Sequence, residues 1–161
     1  MSKGGFPEFR EAFGDRESSD RYDIVNEYGY LGRYQFGKLR LIDLGLMNRA
    51  GWLYGLDEDK FLKNAALQNA AFVAHVADHL RNIDRRYQTK YGMLIEGIAA
   101  TPSGLVAAAH LVGLGGVNKM IRTGIAPQDG NGVKATEYLD LFANYDLPRD
   151  MPLTIPRSVI F

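Results

Sequence analysis

Apolar residues recur along most of this chain at helical spacing. Phe6, Phe9 and Phe13 stand three and four apart, which predicts a first helix ending at the polar stretch 14–20. From 22 to 36 the period is lost. Tyr22, Tyr28, Gly29, Tyr30, Gly32 and Tyr34 read as an irregular or short β segment, where aromatics pack and glycines allow tight turns. A short helix is expected over 38–44, ended by Gly45, and the acids Asp57, Glu58 and Asp59 suit a helix start. The strongest signal follows. Phe72, Val76, Leu80, Ile83 and Tyr87 form one stripe, with Asp78, Arg81, Asp84 and Arg85 largely off it and Gly92 as a stop. Ser103 is the expected cap of an Ala-rich helix over 104–112. A glycine turn over 113–116 leads to a further helix ending at Gly124, then a loop over 127–132. Tyr138, Leu139 and Phe142 mark a last helix. The tail 148–161 holds Pro148, Pro152 and Pro156 and is expected to be extended along the body or partly disordered. No repeat, low-complexity run or domain boundary stands out, so residues 1–161 read as a single, mainly α domain.

Composition narrows the chemistry. There is no cysteine, which removes a thiol nucleophile, a disulfide framework and any Cys-based zinc site. Lys plus Arg and Asp plus Glu each number 19, so no global basic field attracts nucleic acid or an anionic membrane. No stretch reads as a membrane-spanning helix of roughly 20 apolar residues, and the N-terminal run lacks the apolar core of a secretory signal.

The chemistry concentrates in Glu17-Ser18-Ser19 and the following Gly29-Tyr30-Leu31-Gly32-Arg33-Tyr34-Gln35-Phe36-Gly37. A carboxylate at a helix end faces a segment dense in aromatics and glycines. A carboxyl group in an apolar, partly closed site has its charged form disfavoured and can serve as a general acid near neutral pH. Glycines let backbone approach a bulky ligand, and tyrosines and a glutamine offer stacking faces and hydrogen bonds suited to a sugar.

This arrangement resembles the lysozyme-like superfamily, in particular the soluble lytic transglycosylase and goose-type lysozyme branch and related phage endolysins. That family carries a Glu-Ser pair, matched by Glu17-Ser18, and then a Gly-x-x-Gln element, matched by Gly32-Arg33-Tyr34-Gln35. Its third element, Ala-x-Tyr-Asn-Ala-Gly-x-Gly, is similar to the run from Ala108 to Val117. There, however, His110 and Leu111 stand where Tyr and Asn are usual. A late family tyrosine corresponds to Tyr138. The resemblance runs from Glu17 to about Phe142, with every element in the family order.

The resemblance implies a lysozyme-like helical domain with a short irregular or β segment near its active site. It implies cleavage of peptidoglycan glycan strands at the MurNAc-β-1,4-GlcNAc bond, with Glu17 as general acid/base and no cofactor. Gln35, Tyr34, Tyr30, His110 and Tyr138 would contact substrate. The first expectation is a lysozyme-type muramidase, which delivers water with the help of a second carboxylate. The alternative is a lytic transglycosylase, which lets the muramic acid 6-hydroxyl attack and leaves a 1,6-anhydro end with one catalytic carboxyl group. Glu27 ranks first as the second carboxylate because it lies between Glu17 and Gln35. Asp20, Asp23 and Glu96 are further candidates.

Other groupings point to ordinary structure. His75 and His79 share a helix face, but no Glu follows the first His as in a metalloprotease, so they read as helix-surface histidines with no metal. Asp129-Gly130-Asn131-Gly132 begins like a calcium loop, lacks its later acidic ligands, and reads as a tight turn. A non-catalytic lysozyme-like phage tail or secretion module that binds glycan is the rival reading, and the presence of Glu17 favours the enzyme. Action on the wall in the periplasm of a target or host bacterium would then need outside delivery, by a holin or a secretion apparatus. In the second case an immunity protein is an expected partner. Nucleic acid and membrane insertion are not expected.

Overall fold

The computed structural model describes all 161 residues. The chain is mainly helical, with α1 over Phe6–Ser18, α2 over Lys38–Asp43, α3 over Glu58–Leu62, α4 over Ala65–Tyr87, α5 over Pro102–Thr123 and α6 over Ala135–Leu141. Strands are confined to two antiparallel hairpins. In one, β1 (Met47–Asn48) pairs with β2 (Gly51–Trp52); in the other, β3 (Leu94–Ile95) pairs with β4 (Ile98–Ala99). Single-turn 3-10 helices cover Gln88–Lys90 and Arg157–Val159.

The chain forms two compact units, Met1–Arg10 with Asp78–Arg149 and Glu11–Ala77 with Asp150–Phe161. The division falls inside α1, inside α4 and at 149–150, in the irregular segment after α6. The first two leave no mark in the sequence because a helix keeps a single apolar period across them.

In the unit of Glu11–Ala77, the core is aromatic. Tyr34 stacks on Phe72 with ring centroids 4.1 Å apart, Phe13 lies 4.9 Å from Phe72, and Phe61 lies edge-on to Phe36 at 6.5 Å. Each such pair adds about 1 kcal/mol beyond the area it buries. His75 here, and His79 one turn further along α4 in the other unit, are buried rather than on the helix surface. The stripe of Phe72, Val76 and Leu80 is wide enough to carry its neighbours inward, and His75 Nδ1 accepts from Arg40 Nε at 2.7 Å. The Pro-rich tail is ordered against this unit: Asn64 Nδ2 donates to the Val159 carbonyl at 2.8 Å, and Phe161 meets Tyr54 edge-on.

In the other unit, α5 packs along α6. Its cap is Thr101, whose hydroxyl accepts from the Gly104 amide, with Pro102 in the first helical turn. Ser103 is not the cap. Its side chain is buried, donates to the Phe142 carbonyl at 2.6 Å and accepts from the Tyr145 amide at 3.0 Å. The expected break between two helices falls at Gly113, whose φ of 78° and ψ of 164° are non-helical, so α5 is two helical segments joined at a kink. By length and composition α5 also meets the requirement for a membrane span, which the sequence reading did not find. Residues 103–109 are all buried inside this unit, the position of a core helix.

Candidate functional site

Helix α1 continues through the predicted stop, so Glu17 lies in its last turn and Ser18 closes it. The Ser18 hydroxyl is buried. It donates to the Gly14 carbonyl at 3.1 Å and to the Arg33 carbonyl at 2.8 Å, and it accepts from the Arg21 amide at 3.0 Å. The Glu-Ser pair is thereby fastened to the Gly32–Gln35 turn, eighteen residues downstream of Glu17. These are the two motifs that carry the family resemblance.

The turn itself is closed by backbone pairing. Leu31 and Phe36 exchange both of their amide hydrogen bonds, at 3.0 and 2.9 Å, and the Gly32 amide donates to the Ile24 carbonyl at 2.8 Å. Gln35 is held in a left-handed conformation with φ 56°, and its Nε2 donates to the Gly32 carbonyl at 3.0 Å. Ser19 and Asp20 are also left-handed, at φ 54° and 61°. Three of the six non-glycine residues with positive φ therefore fall on these two short stretches. Each costs on the order of 1 kcal/mol, and such strain gathers where function over-determines the backbone.

Between Asn26 and Tyr30 the chain makes a second small turn. Asn26 Oδ1 accepts from the amides of Tyr28 and Tyr30, both at 2.9 Å, and the Asn26 amide donates to the Tyr30 carbonyl at 3.0 Å. Glu27 lies on this turn, exposed. Tyr30 is 44% exposed and lies across Gly37, where a built Cβ would sit 2.6 Å from its ring. Tyr30 thus presents a face to solvent, as a sugar contact requires.

Tyr34 does not. It is 0% exposed, stacked on Phe72, with its hydroxyl held by Asn69 and Arg33. Substrate contact through Tyr34 is corrected to a core role: the Gly32–Gln35 turn directs its side chain inward. Tyr138 is 3% exposed and packs edge-on to Phe142 at 5.3 Å, so it too is a core residue and not a sugar contact. His110 is half-buried on α5, three residues before the Gly113 kink. His110 and Tyr138 belong to the other compact unit from Glu17, Glu27, Tyr30 and Gln35.

Three of the four candidate second carboxylates are engaged elsewhere. Asp20 Oδ1 accepts from Arg33 Nε and Nη2, at 3.2 and 3.1 Å. Asp23 pairs with Arg21, whose hydrogen bonds and charge hold its pKa below the usual carboxylate range. Glu96 accepts from Lys134 Nζ and from the Ala126 amide, both at 2.7 Å, and these bonds hold its pKa low as well. A carboxylate stabilised in its charged form is a weak proton acceptor.

Sequence reasoning treated Arg33 as a spacer within Gly-x-x-Gln. It is the most connected residue here. Its guanidinium is buried and reaches Glu11, Asp20, Tyr22 and Tyr34, with the Tyr22 and Tyr34 rings within 5.4 Å. Burial acts to lower its pKa, but the oxygens of Tyr34, Asp20 and Tyr22 outweigh it and hold the group above its ordinary value. Gln68 was also missed. It is fully buried on α4, accepts from the Arg33 amide at 2.9 Å and donates to the carbonyls of Tyr22 and Phe61, both at 3.0 Å. A usable signal existed for Arg33 alone: Gly14, a glycine inside a helix, marks a close approach.

No group of three or more His, Asp or Glu side chains is placed to hold a metal ion. Asp129 Oδ1 accepts from the amides of Asn131 and Val133 at 2.9 and 2.8 Å, which makes this stretch the expected tight turn. No protein-family model matches the chain, and neither curated proteins nor solved structures give a significant match to it.

Proposed function

We propose that the protein cleaves peptidoglycan glycan strands at the MurNAc-β-1,4-GlcNAc bond, with Glu17 as the general acid. The observation that carries this reading is the Ser18–Arg33 hydrogen bond at 2.8 Å. It joins the Glu17 helix end to the Gln35 turn, so a catalytic acid and a sugar-binding amide belong to one rigid piece of backbone. A proton donor must be held in register with the leaving oxygen, and proton transfer by a positioned carboxyl group is worth roughly 10²–10⁴-fold in rate.

Glu17 protonates the glycosidic oxygen as the bond to the muramic acid C1 breaks. Two endings follow. In one, the sugar's own 6-hydroxyl attacks C1 and returns its proton to Glu17, giving a 1,6-anhydro end. In the other, water attacks with help from a second carboxylate, as in a muramidase. The first ending is favoured by the engagement of Asp20, Asp23 and Glu96 with Arg33, Arg21 and Lys134. That leaves Glu27 as the base a muramidase would use.

Mass spectrometry of the soluble products from purified peptidoglycan, for wild type and Glu17→Gln, tests the reading. The expected products are 1,6-anhydro muropeptides, lighter by one water than hydrolytic ones and absent from the variant. Reducing-end products would identify a muramidase and direct attention to Glu27. A Glu17→Gln protein with unchanged turnover, or no product from wild type, would overturn the assignment in favour of a glycan-binding module.

A further inference from the structure

We propose that Arg33 is a positioning residue that sets Glu17 by gripping the C-terminal half of α1 through both its backbone and its guanidinium. This rests on the reading of Glu17 as the acid.

Glu11, Gly14 and Ser18 are three and four residues apart and so share one face of α1. Arg33 meets that face at each level. Its Nη2 donates to Glu11 Oε2 at 3.1 Å. Its side chain runs along the helix surface at Gly14, where a built Cβ would lie 2.6 Å from both Arg33 Nε and Asp20 Oδ1. Its carbonyl accepts the Ser18 hydroxyl at 2.8 Å. Just past the helix, Asp20 takes two guanidinium hydrogen bonds in its left-handed conformation. Glu17 lies between the Gly14 and Ser18 contacts on the chain, so its backbone has a fixed point on either side.

Arg33 is itself immobilised. Its amide is held by Gln68, and Nη1 donates to the hydroxyls of Tyr22 and Tyr34 at 2.9 and 3.1 Å. The planar fork supplies these fixed directions together; a lysine ammonium would keep the charge and lose the geometry. Structural support alone would be met by any contact that keeps α1 packed. The grip described here is confined to the turn and a half that precedes and follows Glu17.

The test uses two variants. Arg33→Lys preserves charge and changes geometry. Gly14→Ala favours the helix yet displaces the guanidinium, and it keeps the test open if Arg33→Lys does not fold. Two readouts are taken: the Glu17 side-chain carboxyl resonance followed by NMR through its titration, and kcat and KM for glycan cleavage. The expected result is a shifted Glu17 titration midpoint in the folded variants and about a tenfold fall in kcat, with KM within twofold of wild type. An unchanged Glu17 midpoint together with unchanged kcat overturns the proposal, even if thermal stability falls, because Arg33 is then structural only. A midpoint that shifts in the variants while the wild-type protein cleaves nothing supports the positioning and overturns the enzymatic reading instead.

Discussion

The side-chain oxygen of Gln68 accepts the Arg33 amide at 2.9 Å, and its nitrogen is spent on the carbonyls of Tyr22 and Phe61. One buried amide from α4 thus satisfies the Arg33 amide and the Tyr22 carbonyl of the irregular stretch 22–36, which has no ladder of its own, and adds a bond to the Phe61 carbonyl in the last turn of α3. Replacing it with leucine keeps the volume and removes these partners, at roughly 1–3 kcal/mol for each group left unpaired. Gln68→Leu is expected to lose about 3 kcal/mol. Gly32→Ala should lose a similar amount, because its Cβ would fall 2.2 Å from Gln68 Oε1 at a φ of 76°. Urea unfolding followed by Trp52, the single tryptophan and a member of the same unit, measures both. A loss under about 1 kcal/mol for Gln68→Leu would mean that water replaces these bonds at little cost.

The pH dependence of stability has one assignable contribution in the other unit. Glu96 has its pKa lowered from 4.5, first by the Lys134 hydrogen bond and then by the Ala126 amide. A carboxylate with a depressed folded-state value contributes stability that is present above its unfolded pKa and is lost as pH falls through the folded value. Glu96→Gln should therefore lower Tm at pH 7, and the gap from wild type should narrow as pH falls below about 4.3, the ordinary glutamate value, and close below the depressed folded value. Thermal scans across that range decide it; a gap independent of pH would show that the ion pair contributes nothing.

The sequence points to Ser103 as the cap of α5, but Thr101 fills that role. At the half-buried start of α5, the Thr101 hydroxyl accepts the Gly104 amide at 3.3 Å and the Asn144 amide at 3.2 Å. Ser103 is buried and ties the helix to the Phe142 carbonyl and the Tyr145 amide. Thr101→Ala is expected to cost about 1 kcal/mol, the usual worth of a cap. Ser103→Ala should cost about 2 kcal/mol, since its hydroxyl is fully buried and donates to the Phe142 carbonyl at 2.6 Å inside the core. Chemical denaturation of the two variants gives the ranking, and the reverse order would show that the Thr101 cap outweighs the buried Ser103 bonds.

Periodic segments were legible because burial there follows helix geometry. The stripe through Phe72, Val76, Leu80, Ile83 and Tyr87 is the buried face of α4. The aromatic stretch 22–36 was legible as irregular but not in its detail. Without a period, nothing in the residue types separates Tyr34, fully buried, from Tyr30, largely open. That difference arises from Gln35 and Gly32 turning the backbone, and from Gln68 and Asn69, which lie more than thirty residues away. The role of Arg33 could not be read, because its partners Glu11, Asp20 and Tyr22 carry no spacing that marks a network.

Gln35 separates the needs of the fold from those of the site. Its φ of 56° is a conformation that glycine adopts at no steric cost, whereas a residue with a Cβ pays about 1 kcal/mol. The hydrogen bond from its side chain to the Gly32 carbonyl, at 3.0 Å and half-buried, returns a comparable amount. On stability alone the two residues are therefore nearly equivalent, and Gln35→Gly should leave ΔG of unfolding within about 0.5 kcal/mol of wild type. The glycan reading asks more of this position, namely an amide beside the sugar. Under it, Gln35→Gly should lower the rate of muropeptide release at least tenfold while the denaturation midpoint stays in place. Equal rates in the two proteins would remove Gln35 from the site, and a large loss of stability would mean that the side chain serves the turn.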